Sequence, residues 1–275
     1  MSYVIAAESP SRNTGHIKIH TAEDFEGMRV AGRLAAECLD MLVPHVVPGV
    51  TTNYLDKLNY EFTLDHRSLP ACINYRGYTK SICTSINHVV CHGIPSNRTL
   101  KEGDIVNIDV TLIHEGWHGD TSRMFPVGNV KRRAERLIDI THESMIRGIA
   151  AVRPGATTGD IGAEIQTYAE ARGCSVVTDF CGHGLGRVFH DAPNIVHYGR
   201  HGDGYELREG MFFTIEPMIN LGKSSVKILN DGWTAVTKDR TLSAQFEHAV
   251  GVTADGVEVF TISPAGLHKP PYSQI

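Results

Sequence analysis

Ile105-Val106-Asn107-Ile108-Asp109-Val110-Thr111-Leu112-Ile113 alternates apolar and polar residues; after His114-Glu115-Gly116 a matching run continues from Trp117 through His118-Gly119-Asp120-Thr121-Ser122-Arg123-Met124 to Phe125. Period-two alternation on both sides of a short Gly-containing link reads as a β-hairpin. Asp109 is a carboxylate in a Val- and Ile-rich strand, where an isolated buried charge costs several kcal/mol, on the order of the penalty for any unpaired ion. Asp120 follows it by eleven positions. With a two- or four-residue loop that odd separation places both side chains on one sheet face, so the pair can share one cation or bridge two. The alternative is that one of them points to solvent.

Working outward, the hairpin is preceded by Ser81-Ile82-Cys83-Thr84-Ser85-Ile86, which alternates like a strand, and by two helical segments. The first runs over about Ala22 to Leu42, with Thr21 as N-cap, Asp24 at N3 and Pro44 as the stop. The second starts at Thr51 or Thr52 and carries Leu55, Leu58 and Phe62. Beyond the hairpin the plan repeats: helices over about 131–152 and 158–171, then strands over 175–179, 211–219, 233–237 and 242–252. Two helix-then-strand halves imply an α+β fold with internal pseudo-symmetry, helices covering one face of a curved, mainly antiparallel sheet. Residues 1–17 are unpatterned and are expected to be a flexible leader, with one domain over 18–265 and a tail over 266–275.

Composition narrows the function classes. With 275 residues, 41% hydrophobic and 21% charged, the chain has the profile of an ordinary globular protein. A net charge of −5 supplies no basic field, and Lys131-Arg132-Arg133 reads as a solvated helical face, so nucleic acid is not the expected ligand. The six cysteines, at 38, 72, 83, 91, 174 and 181, show no zinc-ribbon spacing and are expected as reduced, mostly buried thiols. The opening Met-Ser-Tyr-Val-Ile-Ala-Ala lacks a basic region, and no segment has the apolar length of a membrane span, which leaves the cytoplasm as the expected compartment.

The buried-acid anomaly recurs at Glu216, in Phe212-Phe213-Thr214-Ile215-Glu216-Pro217-Met218, and at Glu247, in Ala244-Gln245-Phe246-Glu247-His248-Ala249-Val250. His183, between glycines in Cys181-Gly182-His183-Gly184, completes a set of four carboxylates and one imidazole. Such oxygen-rich sets suit Mn²⁺, Fe²⁺, Co²⁺ or Zn²⁺ pairs better than a structural thiolate site.

Six segments, Cys91-His92-Gly93-Ile94-Pro95, Asn107-Ile108-Asp109-Val110, His118-Gly119-Asp120-Thr121-Ser122, Cys181-Gly182-His183-Gly184, Thr214-Ile215-Glu216-Pro217-Met218 and Gln245-Phe246-Glu247-His248, resemble the motifs of type I, bacterial-type methionine aminopeptidases, in order. The resemblance covers about residues 18–260. It implies the pita-bread fold, two pseudo-symmetric halves around a dinuclear metal centre, and hydrolytic removal of the initiator methionine with a small second residue preferred. By position it implies Asp109, Asp120, His183, Glu216 and Glu247 as metal ligands, with Asp120 and Glu247 bridging and Glu216 also the proton acceptor. It further implies His190 at the scissile carbonyl, His92 at the leaving-side amide, and a methionine pocket of Cys72, Tyr75, Tyr78, Cys83, Phe189 and Trp233. Asn87, Val89 and Ser243 resemble a monovalent-cation site. The implied partners are nascent polypeptides and, transiently, the ribosome, with the protein a monomer.

Of the fifteen histidines, His114, His118, His197 and His201 are expected as surface or satisfied core residues, and the loop 197–204 has no assigned role. The resemblance leaves three competitors. Aminopeptidase P and prolidase share the fold, but normally carry a large N-terminal domain, whereas fewer than a hundred residues precede His92 here. Type II methionine enzymes hold a long insertion between the last two ligands, and only 31 positions separate Glu216 from Glu247. A non-catalytic pita-bread binding protein would have lost ligands that this chain retains.

Overall fold

The computed structural model describes residues 1–272. Four helices form where the periodicity places them: α1 (Ala22–Leu42), α2 (Thr52–Asp65), α3 (Arg132–Ala150) and α4 (Thr158–Glu170). At the start of α1 the Thr21 N–H donates to Asp24 Oδ2 over 2.9 Å, satisfying one of the unpaired groups at the helix start. Phe25, Met28, Ala31, Ala35, Leu39 and Leu42 are buried along one stripe, and Pro44 lies in the 3₁₀ turn that ends the helix. The Thr51 hydroxyl caps α2 by accepting from the Tyr54 N–H. No helix among the described residues is long and apolar enough to cross a membrane.

The main sheet has nine strands, all antiparallel to their neighbours. Its path runs Asp191–Ile195, Gly182–Gly184, Phe212–Ile215, Glu247–Val252, Trp117–Pro126, Ile105–His114 and Leu69–Pro70, with Ile82–Ile86 also paired to Ile105–His114 and Val257–Val259 to Glu247–Val252. The expected hairpin closes on a two-residue turn: His114 pairs with Trp117, and Glu115 and Gly116 have φ of 48° and 85°. Positive φ at both central positions matches the right-handed twist of the flanking strands.

Helices and site occupy opposite faces. Ile108 and Val110 pack into a core with Leu39, Leu42 and Leu55 from α1 and α2, so Asp109 between them points the other way. In the second half Leu137 and Ile138 of α3 and Ile161 and Ile165 of α4 bury Phe213, Ile215 and Val250, and Glu247 again lies on the opposite parity.

Two strands expected to be continuous are interrupted. The 211–219 segment forms Phe212–Ile215 and Met218–Asn220, and the 242–252 segment forms Ser243–Gln245 and Glu247–Val252. Pro217 has no N–H for a ladder; Met218–Asn220 and Ser243–Gln245 form a separate three-stranded sheet with Ser175–Val176, while Phe212–Ile215 and Glu247–Val252 remain in the main one. The expected strands at 175–179 and 233–237 shorten to Ser175–Val176 and Ala235–Thr237.

Residues 1–17, expected as a flexible leader, carry the strand Tyr3–Ile5, paired in parallel with Ile17–Ile19. Three-residue strands are too short to show alternation in the sequence. In the 266–275 segment Leu267 is buried and Tyr272 Oη donates to the Met124 carbonyl over 2.8 Å. Positions 273–275 lie outside the described residues.

Candidate metal and substrate site

Strand register brings the acids together. Ser122 is directly opposite Asp109 on one side and Glu247 on the other, so both project from the same face as Ser122. Asp120, two residues along, pairs with Thr111 and shares that face. From the other half, His183 comes up in Gly182–Gly184, and Glu216 sits in the break between two strands. His183 Nε2 is 3.6 Å from both Asp120 Oδ2 and Glu216 Oε1. Atoms of Asp120, His183 and Glu247 lie mutually within 4.8 Å. Asp109 and Glu216 fall outside that tightest trio but border the same cavity.

The charges demand compensation. Burial, then the charge of Asp120, pushes the carboxyls of Asp109 and Glu216 well above the usual range. Burial pushes Glu247 well up too, reinforced by Asp120, Glu216 and Asp109. Asp120 is raised to about 7 by burial, against a hydrogen bond from Thr111 Oγ1 at 2.7 Å. The His183 imidazole is lowered to about 4, again by burial, so it is a neutral donor of a lone pair. Asp109 Oδ1 is enclosed without any hydrogen-bond partner. A buried acceptor left unpaired costs about 1–3 kcal/mol, more when charged, and a bound dication reverses the upward shifts of all four carboxyls while favouring the neutral imidazole. The donor set therefore fits divalent metal.

A cavity of about 330 Å³ opens over these groups, and every residue expected in the site borders it. Cys72, Tyr78 and Cys83 form one buried wall, against which Phe189 and Trp233 pack. The Tyr78 hydroxyl faces two acceptors, the carbonyls of Ile82 at 3.0 Å and Gly93 at 3.1 Å, which fixes its ring edge-on to Trp233. The His190 ring is stacked on Tyr75, with centroids 5.0 Å apart, and tilted over His183 at 4.2 Å. Burial drives the His190 pKa far down, and its Nδ1 is without a partner. His92 lies edge-on to Phe180 and Trp233, on a backbone with φ of 57°. That left-handed conformation costs a side-chain-bearing residue about 1–2 kcal/mol and concentrates at functional positions.

Three polar neighbours of the acids were not singled out from the sequence. Thr111 holds Asp120, Thr214 Oγ1 donates to Glu216 Oε1 at 2.8 Å, and Gln245 Nε2 donates to Glu216 Oε2 at 3.2 Å. Thr111 was within reach of sequence reasoning, since it lies two positions from Asp109 on the same face.

The four discounted histidines occupy structural places. His114 Nδ1 meets Ser68 Oγ at 2.9 Å, His118 Nδ1 meets the Gly186 carbonyl at 2.9 Å, and His197 Nε2 accepts the Glu216 N–H at 3.0 Å. His201 is exposed beside Asp160, and the loop 197–204 closes over the start of α4, with Gly202 N donating to Asp160 Oδ1. Asn87 and Ser243 meet directly, the Ser243 N–H donating to the Asn87 carbonyl at 2.9 Å; the strand Val89–Cys91 packs against Ser243–Gln245 without pairing to it, and Ser243 Oγ is buried without a partner. All six cysteines are free thiols, five buried and Cys181 half-buried.

Comparison with known proteins agrees with this geometry. The sequence model of metallopeptidase family M24 matches residues 26–254. A methionine aminopeptidase of Rickettsia prowazekii is 60% identical over 257 residues, covering 93% of this chain and 99% of the relative. The crystal structure of a methionine aminopeptidase from Rickettsia prowazekii superposes with a TM-score of 0.89, at 60% identity, covering 89% of this chain and 99% of that one. Prolidase from Pyrococcus furiosus shares the fold, with a TM-score of 0.71 at 22% identity; the match covers 88% of this chain and 65% of the prolidase.

Proposed function

The chain belongs to metallopeptidase family M24, and from that premise we propose that it removes the N-terminal methionine of newly made polypeptides, preferring a small second residue. The observation that carries the reading is the convergence of Asp109, Asp120, His183, Glu216 and Glu247 beneath a cavity of about 330 Å³ walled by thiols and aromatic rings. An unbranched thioether side chain suits that wall, because sulfur packs well against aromatic edges.

In this proposal Asp109 would serve the first ion, His183 and Glu216 the second, and Asp120 and Glu247 both. Two divalent ions bound there (Co²⁺, Mn²⁺, Fe²⁺ or Zn²⁺) would supply Lewis-acid polarisation of the scissile carbonyl and acidification of a water. Glu216 takes the proton from the attacking water, the general-base role. His190, kept neutral by burial, donates a hydrogen bond to the carbonyl oxygen as negative charge develops on it. His92 meets the amide on the leaving side. Cys72, Tyr75, Tyr78, Cys83, Phe189 and Trp233 enclose the methionine side chain and exclude water from it. A monovalent cation at Asn87, Val89 and Ser243 is supported by the unpartnered Ser243 hydroxyl. A monomeric, cytoplasmic enzyme meeting nascent chains transiently at the ribosome completes the reading by family resemblance.

The test is release of methionine from Met-Ala-X peptides with Mn²⁺, Co²⁺, Fe²⁺ or Zn²⁺, compared with Xaa-Pro peptides. Methionine release confined to the first class is expected. No release with any of the four ions would favour a binding protein on the same scaffold, and preferential Xaa-Pro cleavage would favour a prolidase-like enzyme.

A further inference from the structure

The segment Pro10–Lys18 precedes all six motif segments and lies outside the cavity, yet it is fastened to the one peptide that carries His190. Asn13 Nδ2 donates to the His190 carbonyl at 3.1 Å, while Asn13 Oδ1 accepts the Gly15 N–H at 2.9 Å, which fixes the amide's orientation. The next residue, Asp191, is held through Oδ2 by Lys18 Nζ at 2.8 Å, with both side chains buried. The same ammonium donates to the carbonyls of Pro10 at 3.1 Å and Arg12 at 3.2 Å, so its three donors are spent on one carboxylate and two turns of the leader. The segment is itself anchored upstream: Tyr3–Ile5 pairs with Ile17–Ile19, and Tyr3 Oη donates to the Glu206 carbonyl at 2.7 Å.

On the cavity side nothing polar fixes the imidazole. Its Nδ1 is without a partner, and its ring contacts are aromatic ones, stacked on Tyr75 and tilted against Phe189 and His183. The direction in which the ring donates is therefore set by its backbone.

We propose that Asn13 and Lys18 are positioning residues: the leader straps the His190–Asp191 peptide so that the His190 imidazole meets the scissile carbonyl in the geometry of the transition state. This rests on the role of His190 given above, and it concerns rate rather than binding of the methionine side chain. Displacing a catalytic group by about 1 Å can cost up to about 100-fold in rate, so a strap of two contacts can account for a measurable share of kcat.

The experiment is a double-mutant cycle on a Met-Ala-X peptide using Asn13→Ala, His190→Ala and the pair, with kcat and KM separated and metal content measured for each. Asn13 is exposed, so its truncation leaves the fold standing. Asn13→Ala is expected to lower kcat by about tenfold with KM and metal content unchanged, and to have no further effect once His190 is alanine. Lys18→Met is expected to behave in the same way, with Lys18→Arg restoring most of the rate. Equal loss from Asn13→Ala in both backgrounds, or an unchanged kcat, overturns the strap. An unchanged kcat in His190→Ala overturns instead the assigned role of His190.

Discussion

Gln245 donates from Nε2 to Glu216 Oε2 across 3.2 Å, joining the end of one strand to the break between two others. With Thr214 on the opposite oxygen, both carboxylate oxygens of Glu216 are held in a fixed plane. Outer partners of this kind orient a metal ligand and raise its affinity. Gln245→Ala is expected to weaken divalent-metal binding by roughly 10- to 100-fold, with activity recovering at high metal concentration. Calorimetric titration with Mn²⁺ checks it, and unchanged affinity would remove Gln245 from the site's architecture.

Glu247 pairs with Ser122, two residues from Asp120 on the same sheet face, and sits within the tightest trio of donors. Glu247→Gln keeps shape and volume but removes a negative charge from a site proposed to hold two dications. Metal affinity and methionine release should fall together, by more than the roughly 10- to 100-fold typical of an outer partner. Parent-like turnover at saturating metal would contradict the bridging role.

The acids also govern stability against pH. Asp120 is raised from 3.8 to about 7, and Asp109, Glu216 and Glu247 are raised well above their ordinary values. The folded chain binds these protons more tightly than the unfolded chain. Without metal, the resulting stabilisation is fully present below the unfolded values and is lost as pH rises through about 7 and above. His20 and His142 act in the other direction: burial lowers both from 6.5 to about 4, so their contribution is present above 6.5 and lost as pH falls towards 4. Metal-free Tm should fall between pH 6 and 8, and added Mn²⁺ should raise Tm more at pH 8 than at pH 6. Scanning calorimetry with EDTA or Mn²⁺ reads both; a metal-free Tm that climbs over this interval refutes the account.

Gly119 lies where α1 crosses the hairpin, and a Cβ there would overlap the Ala31 carbonyl. The obstacle is backbone, which a rotamer change cannot relieve. Gly119→Ala should lower Tm by roughly 3 to 10 °C, the effect of an overpacked core in a chain of this size. A thermal melt with the parent's midpoint would show that the helix and strand can separate at little cost.

The sequence was most informative where a short-range rule had a chemical exception. Asp109 and Asp120 are charges set among apolar strand residues, and odd separation across a tight turn was enough to place them on one face. The helices were legible for the same reason, because α1 and α3 bury long stripes at helical spacing. The broken strands were not, since a run such as Phe212 to Ile219 reads as one strand until Pro217 denies it a ladder partner. Gln245 and Thr214 stood inside motifs already in view, but hydrogen bonds between strands distant in sequence have no local signature. Tyr3–Ile5 was invisible because three residues show no period, and its partner strand and the Asn13 contact depend on tertiary neighbours.

The turn at Glu115–Gly116 works as a counting device for the chemistry above it. Side chains on a strand change face at every step, so a single inserted residue there would shift the pairing and turn Asp120 away from Asp109 unless a bulge absorbed it. Two inserted residues would merely lengthen the arms. Changes of length in this loop are thus filtered by parity, and peptide hydrolysis at one end of the hairpin constrains a surface turn that touches no substrate.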